Sequence, residues 1–162
     1  MRRSVILRAG IAGFLALSLA QGLCAQLATK KALTLEAAKK IAAAAEAEAR
    51  KNNWTVVITV VDDGGNLLYL ERMDGTQLGS IEIAQFKARS AVNMKRPTKT
   101  FGDRLASGET YLLRVPGLAP LEGGVPILLG ADCIGGIGVS GMTSQQDGVV
   151  AAAGLAVAAK MQ

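Results

Sequence analysis

From Val149 to Ala159 the chain carries no polar side chain, and it is made of alanine, valine, leucine and one glycine. This alanine-rich run reads as a helix of about three turns. A helix that is apolar on every side must be covered on every side. A domain of this size can hardly do that alone, so burial against a second copy is expected and the chain is predicted to be a homo-oligomer. Thr55–Val61 makes a similar demand in extended form. It is rich in β-branched residues and apolar on both faces, which places it inside a sheet covered on two sides.

The elements around these two segments follow from periodicity and punctuation. Thr34–Asn52 reads as an amphipathic helix with Leu35, Ala38, Ile41, Ala42, Ala45 and Ala49 on one stripe. Thr34 can cap it, and Glu36–Lys40 and Glu46–Arg50 are i,i+4 pairs on its outer face. Asp62–Asn66 is strong turn chemistry that joins the first strand to a second, Leu67–Arg72. Gly79–Lys95 reads as a second helix that stops before Pro97, and Thr100–Ser107 as a short third. Gly108–Gly124 is a long glycine- and proline-bearing loop of the kind that is often functional. Val125–Gly130 and Ile134–Gly141 then form a second hairpin ahead of the final helix.

The amino terminus has a separate logic. Arg2, Arg3 and Arg8 precede Ala9–Ala20, whose only polar residue is Ser18. A basic start followed by a short apolar run is the pattern of a cleavable signal peptide, and the run is shorter than the ~20 residues a spanning helix needs. Cleavage after Ala20 or Ala25 fits the small residues there. Leu23 before Cys24 argues against lipidation. Residues 1–25 are therefore expected to be a signal peptide and residues 26–162 one domain, periplasmic or secreted, with no stable membrane insertion. Removing residues 1–25 lowers Lys plus Arg from 18 to 15 against 13 acids, and the net charge from +5 to +2. The mature domain is not basic enough to suggest a nucleic-acid partner. Cys133 is then the only cysteine.

The chain contains no histidine. That removes Ser-His-Asp and Cys-His catalysis and the usual zinc sites, so no metal site is expected. Gly136–Gly141 matches G-x-G-x-x-G, but no strand and no acid follow the last helix, so a dinucleotide site such as one for NAD is rejected. A glycine-rich strand approached closely by another element is the simpler reading. Ser144 and Asp147 have the spacing of a capping box. Lys87 falls beside the inner stripe of the second helix, between Ala91 and Met94, where it must snorkel, pair with an acid or meet a ligand. Phe86, on the wet face, is a candidate oligomer contact. Tyr69, Tyr111, Met73, Met94, Met142 and Cys133 are the ordinary candidates for a haem axial ligand.

Several stretches, in this order and spacing, resemble one family: Val60–Leu67, Ser80–Ala88, Gly123–Ile127, and Ile134–Gly141 followed by Asp147. The chain from about Leu33 to Lys160 is similar to the GlcG/HbpS-like family, whose domain also forms the C-terminal part of PduO proteins. The resemblance implies a profilin-like α/β (α+β) sandwich, a central antiparallel sheet with helices on both faces, and homo-oligomers. It implies a small-molecule ligand, with haem as the possible cofactor, and a role in haem sensing or handling or as an accessory to a catabolic pathway. The implied pocket lies between the glycine-rich strand, the Leu121–Gly124 loop and the second helix, walled by Lys87, Glu122, Gly123, Gly124, Ser140 and Gly141. An alternative is an enzyme acting on a small oxygenated organic acid, with Lys87 and Glu122 as acid and base.

Overall fold

Helix α1 spans Leu35–Lys51 and starts where the Thr34 hydroxyl accepts a hydrogen bond from the Ala37 N–H at 3.2 Å. It buries the expected stripe of Ala38, Ile41, Ala42, Ala45 and Ala49. Strands β1 (Val57–Asp62) and β2 (Leu67–Arg72) follow. Their turn is fixed by the Asp62 carboxylate, which accepts from the N–H groups of Gly64 and Asn66 at 2.9 and 2.8 Å. Helix α2 (Ser80–Met94) ends on Lys95 in the left-handed region, φ 50°. Helix α3 (Thr98–Ala106), strands β3 (Gly124–Leu129) and β4 (Asp132–Ser140), and helix α4 (Ser144–Ala158) follow. This is a computed structural model, and it describes residues 27–161. The expected signal peptide lies outside the described residues.

The four strands form one antiparallel sheet in the order β2-β1-β4-β3. β1 is interior, as its two apolar faces require. Ile58 and Val60 join α1 and α4 in the main core, whereas Val61 packs on the α2 side with Ala88 and Val92. Helices therefore cover both faces of the sheet. β3 is an edge. The Val139 N–H donates to the Gly123 carbonyl at 2.9 Å, and pairing alternates along an antiparallel ladder. Pro126 thus turns its missing N–H away from β4, which blunts the edge against unwanted strands.

Two expectations need correction. The final helix begins at Ser144, and its capping box is Thr143 with Gln146, one residue earlier than Ser144 with Asp147. Asp147 is turned inward instead. The stretch from Gly108 to Gly124 contains a 3₁₀ turn, Thr110–Arg114, and Leu112 and Leu118 anchor it in a small cluster with Phe101.

In one copy, α4 is only half covered. Val150, Ala151 and Gly154 face α1 and the sheet, and a Cβ on Gly154 would lie 2.8 Å from Ile137 Cδ1 and 3.0 Å from the Ile41 carbonyl oxygen. Val149, Ala152 and Ala156 face outward and are exposed.

Candidate functional site

Lys87 is placed by the register of α2. Residues three and four apart share a helix face, so Lys87 sits on the sheet-facing side with Ala84, Ala88 and Ala91. Its side chain is 2% exposed. The ammonium donates to Asp147 Oδ2 at 2.7 Å and to the Val139 carbonyl at 2.9 Å. Asp147 Oδ1 accepts the Met142 N–H at 3.0 Å. One ion pair thus ties α2, β4 and α4 together.

Burial pushes the Asp147 carboxyl above its ordinary value, and the hydrogen bond and charge of Lys87 only partly oppose this. The native chain therefore keeps a proton on Asp147 at pH values where the unfolded chain has already lost it. Taken alone, this group costs stability above its raised pKa, and the cost vanishes as pH falls through that pKa toward the ordinary 3.8.

The other expected residues gather around this pair, with one exception. Gly123, at φ +121°, lies directly on it: an added Cβ would be 3.0 Å from Lys87 Nζ and 2.9 Å from Asp147 Cβ. The Gly124 N–H donates to the Thr98 hydroxyl at 2.9 Å, which itself donates to the Leu121 carbonyl at 2.6 Å. The hydroxyls of Ser140 and Ser80 meet at 3.2 Å, and the Gly141 carbonyl accepts from Gln77 Nε2 at 3.1 Å. Glu122 is the exception. It packs on Gly148, just past the first turn of α4, and lines a polar groove of about 220 Å³ with Lys99, Asp103, Ser144 and Gln145. No hydrogen bond or ion pair joins it to Lys87, so the structure does not bring the expected acid–base pair together. Asp147, read from sequence as a cap, is the true partner of Lys87. Only the inward side of the α4 first turn reveals this.

An apolar groove of about 220 Å³ opens elsewhere, between the start of α1, the β3–β4 hairpin and the end of α4. Leu33, Ala37, Ile127, Ile134 and Ala158 wall it. Met161 and Leu128 stand at it 40% and 46% exposed. Among the described residues, Lys31 is the only charged one on its lining. Sequence reasoning missed this groove, because its walls come from three distant segments and none of them carries a motif.

Haem needs an apolar surface for its ring, a donor for its iron and cations for its carboxylates. The candidate donors separate clearly. Tyr69 gives its proton to Glu71 at 2.9 Å, and Tyr111 to Glu109 at 2.5 Å. Each bond raises the phenol pKa and disfavours a phenolate ligand. Met73 is buried in the main core, and Met94 packs on the Phe101 cluster. Cys133 points to the α2 side, away from the groove, with its Sγ 3.5 Å from the Gly135 carbonyl oxygen. Met142 lies by the Lys87 pair and lines no part of the groove. Met161 lies on the groove itself. Among the described residues, the groove offers an apolar wall with one thioether and one cation.

Comparison with known proteins gives one answer. Residues 33–156 match the family described as "Haem degrading protein HbpS-like". Protein GlcG of Escherichia coli K12 is 46% identical over 112 residues, covering 69% of this chain and 84% of that protein. A double-mutant form of Streptomyces reticuli HbpS superposes with a TM-score of 0.75 at 38% identity, covering 83% of this chain and 94% of that one. A PduOC:haem complex superposes with a TM-score of 0.71 at 28% identity, covering 78% and 95%. With the same sheet and helices, and matched along nearly all of its compact part, this chain belongs to the HbpS-like family.

Proposed function

We propose that this chain is an exported haem-binding protein that acts as a homo-oligomer, in haem sensing or handling or beside a catabolic pathway. The observation that carries the reading is the apolar groove, whose lining among the described residues holds a single cation and a thioether. An amphiphilic anion is the ligand such a lining selects. The family description and the relative held with haem support haem as that ligand. Export is supported by the basic start and the short apolar run at the amino terminus. The buried Lys87–Asp147 pair is read as a staple that holds the glycine-rich strand under α2.

Lacking histidine, the chain is expected to hold haem through soft and apolar contacts, with an exposed iron and modest affinity. Titrating the purified mature protein with haemin should shift the Soret band and saturate at a defined stoichiometry. A linear, non-saturating response would remove haem from the reading.

A further inference from the structure

We propose that the amino-terminal arm of a second copy closes the apolar groove, with Leu27 as the inserted side chain; this rests on the homo-oligomer reading and names a contact that joins the copies. Three observations converge on that occupant. First, Leu27 stands 93% exposed on a lead, residues 27–34, that has no regular structure. A single exposed leucine is ordinary on a protein surface. This one stands at the end of an arm whose base, from Lys31 to Thr34, is itself a wall of the groove. Second, the groove is open in one copy, with Leu128 and Met161 exposed at it. Third, the groove is continuous with the outer stripe of α4. Ala158 lines the groove, and Val149, Ala152 and Ala156 of the same helix are exposed. One neighbouring copy can therefore cover both apolar surfaces.

The reach and the chemistry suit an exchange of arms. An extended residue spans at most ~3.6 Å, so Leu27 extends up to about 14 Å from Lys31. The base of the arm stays on its own groove while the tip reaches a neighbour. In a two-fold pair the same contact is made twice, each arm entering the groove of the other copy. The groove, of about 220 Å³, suits a leucine side chain with Ala28 behind it. Leu27 breaks no packing on leaving its own copy, so its removal from water favours association directly. A ligand that takes the groove must then displace the arm.

The test uses the mature chain from Gln26 onward. Leu27→Ser leaves the core untouched. It should weaken association about ten- to hundredfold in sedimentation equilibrium, the scale of burying one leucine, with the circular dichroism unchanged. A second variant shows which copy supplies the arm. Leu27→Cys with Ala158→Cys, in a Cys133→Ser background, should form a disulfide between chains when treated with oxidised glutathione, seen as a covalent dimer on a non-reducing gel. Closure of that disulfide within one chain, or a Leu27→Ser protein that associates as tightly as wild type, overturns the arm exchange and leaves the homo-oligomer standing. A wild-type chain that sediments as a monomer overturns both.

Discussion

At the residue scale the sharpest feature is an ammonium and a carboxylate buried together at 2% and 3% exposure. Such a pair is weak evidence for net stability, because desolvation offsets much of the attraction. Breaking it is a different matter. Asp147→Asn leaves the Lys87 charge buried without its counter-charge, and should cost about 3–5 kcal/mol in urea unfolding. Replacing both, as Lys87→Met with Asp147→Leu, should recover most of that loss. A single substitution costing under ~1 kcal/mol would mean that water or another acid reaches Lys87. The sequence made half of this pair legible. Lys87 fell on the inner side of its helix, so a partner was required. Asp147 was hidden because Thr143 and Ser144 are adjacent and both can cap. Which one does so decides whether Asp147 faces solvent or core.

At the element scale, sequence and structure agree where a local rule decides. Leu67–Arg72 is the strand read from the turn chemistry before it, and Thr34 is the cap of α1. The Gly136–Gly141 segment had two readings, and the observed packing accounts for its glycines without a ligand. A Cβ on Gly138 would strike the Ala84 carbonyl and lie 2.6 Å from the Ala88 nitrogen, both in the backbone of α2. Gly138→Ala should therefore destabilise by at least the ~1–3 kcal/mol typical of overpacking. Lost stability with unchanged far-ultraviolet dichroism in buffer would agree. An unaffected midpoint would mean that α2 can ride outward from the sheet at little cost. The groove was not legible at this scale, since three unconnected segments form it and each looks like ordinary core.

At the scale of the whole molecule, the uncovered side of α4 is the main debt of the isolated chain. Val149, Ala152 and Ala156 make an apolar outer stripe on a helix whose other side is already buried. Association of copies through this stripe is the proposal that removes it from water. Ala152→Glu places a charge there without touching the inner face, so it should reduce the mass seen by light scattering while the fold persists. An unchanged mass would take this stripe out of the interface.

Haem capture by the apolar groove is the central claim, and a groove-filling variant tests it most directly. Ala158→Trp would occupy the space between α4 and the β3–β4 hairpin, where Ala158 already lines the groove. Haemin should then bind at least tenfold more weakly than to wild type, equivalent to about 1.4 kcal/mol, with the fold retained. Equal dissociation constants for the two proteins would contradict the groove as the site.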